Sequence, residues 1–153
     1  MGELVRTGTA LEPQAVARAR ILDIEAKVGA MPQIECKLAH HFAPGAYGRE
    51  ILLPRGSLVV GKLHRHAHLN IISMGRVSVF TEEGIKIYKA PLTFVSFPGT
   101  KRVVYAHEDT IWTTVHPTDK TDLADIEREV IAPDYVALDH KGEMEPAEPV
   151  SEG

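Results

Sequence analysis

Between residues 33 and 116, apolar and polar side chains alternate in short bursts separated by glycine, proline and acidic turns. A period of two sends successive side chains to opposite faces of an extended chain, so each burst reads as a half-buried strand. The pattern predicts nine strands, over 34–38, 47–53, 57–64, 68–73, 77–81, 85–89, 93–97, 103–105 and 111–116. Glu82-Glu83-Gly84 separates two of them as a hairpin turn would, and Pro91 and Pro98-Gly99 mark further boundaries. The gaps are too short for repeated βαβ crossovers, so the expected fold is an all-β core, a β-sandwich or barrel.

The period changes on both flanks. Residues 11–28 are rich in good helix formers, with Leu11, Ala15, Leu22 and Ala26 as the apolar stripe and Gly29 and Pro32 ending the helix. A short second helix is predicted over 121–131, capped by Thr121 or Asp122, with Leu123, Ile126 and Val130 on one side and Pro133 closing it. Residues 139–153 are charged, carry prolines and have little to bury, which predicts a flexible tail. The resulting division is 1–32 as an N-terminal helical extension, 33–117 as the β-barrel, 118–138 as the C-terminal helix and 139–153 as the tail.

Composition narrows the class. At 153 residues and 44% hydrophobic content the chain supports one sizeable core. A net charge of −4, with 17 basic residues forming no block, gives no long-range attraction for nucleic acid or an anionic membrane. No run approaches the roughly 20 apolar residues of a membrane span, and the first residues lack the apolar core of a signal peptide, so a soluble cytoplasmic protein is expected. Cys36 is the single cysteine and forms no intrachain disulfide; its alternation with Ile34 and Leu38 predicts a structural thiol inside a strand. The chain has no phosphate-binding glycine loop, no dinucleotide-binding glycine motif and no serine nucleophile elbow.

The chemistry concentrates in His64-Arg65-His66-Ala67-His68. Three imidazoles at every second position share one side of an extended segment, as a metal site requires; a helix would scatter them. A regular strand keeps same-side neighbours about 7 Å apart, so convergence on one ion requires a bend or bulge. His116, at the end of a strand whose same face carries Trp112 and Thr114, is a further candidate ligand from across the sandwich, with His107 in the loop 106–109 competing for that role. Such a set suits a divalent transition metal, Zn, Fe, Mn, Ni or Cu, with an open position for a substrate oxygen. His40 and His41 are adjacent on a strand and face opposite ways, so they do not share an ion, although one can line the pocket mouth.

The segment Gly61-Lys62-Leu63-His64-Arg65-His66-Ala67-His68-Leu69-Asn70, followed by Ile71 to Gly75, resembles the first motif of the cupin superfamily. That motif has two histidines flanking one residue, then a glutamate and a turn glycine; His64, His66 and Gly75 match, while His68 or Asn70 stands at the glutamate position. Phe97-Pro98-Gly99-Thr100 is similar to the second motif, but no histidine follows near Arg102-Val103. The segments 61–70 and 98–117 also look like those of small, little-characterised cupins of phages and related bacteria. The resemblance covers about residues 45–117 and implies a small jelly-roll domain that binds a metal or substrate inside the barrel.

On that basis His64, His66, His68 and His116 are the expected metal ligands, Tyr105 and Lys62 the candidate catalytic groups, and Asn70, Arg102 and Trp112 the candidate substrate-binding groups. Lys62 or Arg102 suits a carboxylate or phosphate, and Tyr105 suits orientation or proton transfer. The leading expectation is a metal-dependent enzyme acting on a small molecule, with dioxygenase, isomerase and lyase reactions all open; the alternative is a noncatalytic binding or assembly protein on the same barrel. Sheet edges and an amphipathic helix favour a homodimer.

Overall fold

A computed structural model describes residues 11–134. Helix α1 (Leu11–Gly29) is followed by β1 (Lys37–Ala43), β2 (Ala46–Leu53), β3 (Leu58–Val60), β4 (Leu63–His64), β5 (His68–Met74), β6 (Arg76–Thr81), β7 (Gly84–Lys89), β8 (Leu92–Ser96), β9 (Val103–Ala106) and β10 (Thr110–His116), then α2 (Leu123–Val130) and β11 (Ile131–Ala132). The strands form an antiparallel five-stranded sheet in the order β1-β2-β10-β5-β8, facing a four-stranded sheet ordered β3-β9-β6-β7, with β11 and β4 as a separate pair. Non-consecutive neighbours such as β2, β10 and β5 are what a jelly roll produces, and the all-β core flanked by two helices is the predicted class.

Three local expectations change. The strand over 57–64 is two strands, because the pairing partner changes: the β9 ladder ends with the Gly61 N–H donating to the Arg102 carbonyl at 2.8 Å, and Leu63 and His64 pair with β11 instead. The strand over 34–38 starts later and runs through His40 and His41, because Pro44-Gly45 closes a hairpin with Ala43 opposite Ala46 and Gly45 at φ 81°. Cys36 therefore lies just before β1 rather than within it, half-buried against the core, and its thiol is pushed up by that burial.

The core is built by the alternation itself. On the inner face of the larger sheet, Ile51 lies opposite Trp112, Trp112 opposite Ile72, and Ile72 opposite Leu92. Val77, Val79, Val104 and Ala106 of the smaller sheet meet this row. Each fully buried Val or Ile side chain contributes about 1.5–3 kcal/mol relative to exposure.

The helices dock differently from one another. In α1 the expected stripe is not the buried one: Ala15, Leu22 and Ala26 are exposed and Ile21 is buried. Polar anchors hold α1 instead, with Arg18 and Gln14 on Glu82 at 2.7 and 2.8 Å, and Glu25 on the buried Lys101 at 3.0 Å. Helix α2 follows its pattern more closely. Asp122 caps it by accepting from the Ala124 and Asp125 N–H groups, Ile126 and Val130 pack on Tyr47, and Leu123 stays exposed. The predicted tail over 139–153 and His140 lie outside the described residues. Among the described residues no helix is long and apolar enough to cross a membrane.

Gly75 carries the chain from the larger sheet to the smaller, between β5 and β6, at φ 99°. A Cβ there would lie inside contact distance of Thr110 Oγ1 and the Asp109 carbonyl, whereas one on Gly45 meets nothing within 4 Å. Gly45→Ala is expected to cost about 1–2 kcal/mol from backbone strain alone. Gly75→Ala is expected to cost at least about 3 kcal/mol because steric overlap adds to that strain. Denaturant midpoints of the two variants check this, and equal losses would contradict the close approach.

Candidate metal centre

The chain does not run straight through the histidine motif. Residues 65 and 66 form a bend between β4 and β5, so His64 ends one strand and His68 begins another. Four contacts, three of them between backbone groups, hold the bend. Ile131 of β11 pairs with His64, the Arg65 N–H donates to the Val130 carbonyl at 2.7 Å, Arg65 Nε donates to the Ile131 carbonyl at 3.1 Å, and the Gly99 N–H donates to the His64 carbonyl at 3.0 Å. His116 arrives on β10, whose Val115 sits opposite Leu69, which sets His116 beside His68 on the inner face.

The result is a triangle of imidazoles. Ring centroids lie 4.2 Å apart for His64 and His68, 5.3 Å for His64 and His116, and 5.0 Å for His68 and His116. Burial is the main reason that all three titrate below the ordinary histidine range, His64 down to about 2 and His116 to about 4. Mutual repulsion and the Arg49 charge add to this for His64 and His116, and the Arg102 charge for His64 and His68. The rings are therefore neutral at pH 7, the form that ligates metals. His64 Nδ1 and His68 Nε2 are buried and have no hydrogen-bond partner. His68 Nδ1 faces the His66 carbonyl at 3.4 Å, and a proton on that nitrogen leaves the Nε2 lone pair free.

The donor set fits a transition metal in type and spacing. With metal–nitrogen bonds of about 2.1 Å, the centres of two ligating rings stand about 4.6–5.3 Å apart, close to the separations of this triangle. The rings nonetheless lean on one another, with interplanar angles of 20° to 41°. Among the described residues no group of three or more His, Cys, Asp or Glu side chains is arranged to hold an ion as it stands. Ligation by these three rings therefore requires the side chains to reorient.

The other candidates separate by face. His66 lies in the bend and makes no ring contact with the triangle among the described residues; the group that reaches His68 is its carbonyl. Tyr105 is 42% exposed on β9 and packs edge-on against His107, whose Nε2 is 2.6 Å from Ser78 Oγ; neither joins the triangle. Lys62 is exposed and paired with Glu127 at 2.7 Å, which removes it from the interior. Asn70 and Trp112 do lie inside, but they satisfy each other: Trp112 Nε1 donates to Asn70 Oδ1 at 2.9 Å, and Asn70 Nδ2 donates to Ser96 Oγ at 2.8 Å. Arg102 also turns inward, its Nη2 donating to Ser96 and its guanidinium 5.4 and 5.7 Å from the Phe94 and Trp112 ring centres.

Three interior residues carry no signal in the chemistry-bearing motifs. Tyr47 stacks on His116 at 6.2 Å and is 2.7 Å from His40 Nδ1 through its hydroxyl; Arg49, opposite Thr114, projects from the same face; Ser96 lies opposite His68. Their alternation on strands was the available clue, and only the sheet order brings them to the triangle. His41 points to the other face and pairs with Glu50 at 2.9 Å.

No family model and no curated protein matches the chain. Solved structures do. Ectoine synthase from P. lautus aligns over 68% of this chain and 81% of its own, at a TM-score of 0.52 and 10% identity. The Cnp3 cupin domain of Schizosaccharomyces pombe covers 67% of this chain and 72% of its own at 0.47 and 17%, and KdgF from Halomonas sp. covers 57% and 83% at 0.46 and 19%. At such identities the likeness is one of fold alone: the chain has a cupin-like all-β sandwich core flanked by two helices.

Proposed function

We propose that the chain is a metal-dependent cupin enzyme acting on a small molecule, with His64, His68 and His116 holding one divalent transition metal. One observation carries this reading: three neutral imidazoles are in contact, His68 and His116 buried and His64 half-buried, and the buried His64 Nδ1 and His68 Nε2 have no hydrogen-bond partner. Unpaired buried nitrogens of this kind cost about 1–3 kcal/mol each, a penalty that metal ligation removes. Neutral imidazoles suit Zn, Fe, Mn, Ni or Cu. When bound, the ion would polarise a ligand oxygen as a Lewis acid, which suits the isomerase and lyase reactions that the cupin resemblance leaves open, and a redox-active ion such as Fe, Mn, Ni or Cu would suit the dioxygenase reaction.

The chain's own groups set the conditions for that chemistry. Tyr47 supports the outer side of His116, and the His66 carbonyl orients His68. The Trp112–Asn70–Ser96 hydrogen bonds make a rigid wall that excludes water from that side. On the outer face of the larger sheet, Leu69 lies opposite Val95 and both are exposed, which supports the expected homodimer.

Protein prepared without chelator or affinity tag is expected to retain about one transition-metal ion per chain by elemental mass spectrometry. His64→Ala, His68→Ala and His116→Ala are each expected to lower retention about tenfold or more, with His107→Ala unchanged. A wild-type chain that binds no metal even after reconstitution would contradict the assignment.

Burial also sets a pH dependence for the metal-free protein. His116 takes up a proton near pH 4 when folded and near 6.5 when unfolded, so between those values the unfolded chain binds more protons. Stability is therefore complete above about pH 6.5 and falls as the pH drops toward 4, by on the order of 3 kcal/mol from His116 alone. Thermal melts of chelated protein across that range check the sign; a stability flat from pH 7 to 4.5 would contradict the buried, neutral state.

A further inference from the structure

The inner face of the barrel holds two arginines whose nearest carboxylates act only at a distance, Glu83 on Arg102 and Glu127 on Arg49. Arg49 and Arg102 both bear on the histidine triangle: the Arg49 charge depresses His64 and His116, and the Arg102 charge depresses His64 and His68. No inward position of the five-stranded sheet is an aspartate or glutamate, and neither arginine has an ion pair among the described residues. Glu50, the acid nearest to Arg49 in sequence, is turned to the outer face by its pairing with His41.

Arg102 is the better-built of the two. Its guanidinium is held over the Phe94 and Trp112 rings, Nη2 donates to Ser96 Oγ, and the Tyr88 hydroxyl is a further partner. Ser96 is itself fixed by Asn70, and Asn70 by Trp112. The Nε–H at the centre of this rigid mount is buried and has no acceptor. A buried guanidinium N–H without an acceptor costs more than a neutral one, and its planar fork matches a planar carboxylate through two parallel hydrogen bonds.

We propose that Arg102 is the anion-binding residue of the barrel and that the ligand is a small organic carboxylate, seated between the guanidinium and the histidine triangle. Arg49 supplies a second positive charge that favours an anion over a neutral molecule. The proposal names the substrate class of the site described above, yet it rests on the unpartnered Arg102 Nε and the lack of a direct ion pair to Arg102 among the described residues rather than on the metal, so the two fail separately.

The test is calorimetric titration of the full chain, as purified and after metal removal with phenanthroline. The probes are acetate, oxalate and succinate, with acetamide as neutral control and inorganic phosphate as competitor. At least one acid is expected to bind the wild type in both states, Arg102→Gln to weaken it about tenfold or more, and Arg55→Gln, on an exposed turn, to leave it unchanged. Phenylglyoxal modification of the wild type, followed by mass spectrometry, needs no variant: bound acid is expected to slow reaction at Arg102 at least threefold. Wild-type protein that binds no acid above acetamide, equal binding by wild type and Arg102→Gln, phosphate bound more tightly than every acid, or Arg102 modified at the same rate with and without acid would each overturn the proposal. Loss of acid binding on metal removal, with Arg102→Gln matching wild type, would assign the acid to the ion instead and overturn it as well.

Discussion

The pairing of β10 with both β2 and β5 is the constraint from which core and site follow together. One strand carries Trp112 into the apolar core and, four residues on, His116 into the polar end of the same inner face. Because side chains alternate with a period of two, the register that buries Trp112 against Ile72 also commits His116 to the side of His68. A slip of one residue would expel both at once. Packing energy thus holds the position of the polar groups.

Those polar groups are expensive to keep dry. Three imidazoles, two guanidiniums and a phenol lie on one inner face with no described carboxylate paired directly to them, and the folded chain responds by holding the imidazoles neutral. The remaining cost sits at three atoms, His64 Nδ1, His68 Nε2 and Arg102 Nε, which lack partners while most buried polar atoms around them are satisfied. Neither packing nor stability favours such atoms, and the proposed metal and carboxylate would supply the partners they lack.

The chain ends of the fold hold the site from outside. His64 belongs to a two-residue strand whose single partner is β11, beyond the C-terminal helix, so docking of Ile126 and Val130 fixes one corner of the triangle. The Asp122 cap and the burial of Val130 are therefore part of how His64 is aimed. Helix α1 plays no such part; it closes the smaller sheet through Ile21 and ion pairs to Glu82 and Lys101.

Much was legible in the residues alone. Period-two alternation is written locally by burial on one face, so the strands, the all-β class and the helix capped at Asp122 could be read directly, as could the concentration of histidines over 64–68. The need for a bend in that motif could be read from the spacing, but its place and direction could not, because it is held by hydrogen bonds to residues far along the chain, at Gly99, Val130 and Ile131. The α1 stripe misled for a similar reason: polar anchors on Glu82 and Lys101 outweighed its weak apolar periodicity. Local sequence determined which segments are extended and which residue types can ligate or carry charge. Only the tertiary structure decided that His64, His68 and His116 meet, that Tyr105 and Lys62 face away, and that Arg102 turns inward, because strand order and loop direction are set by long-range pairing that no local period encodes.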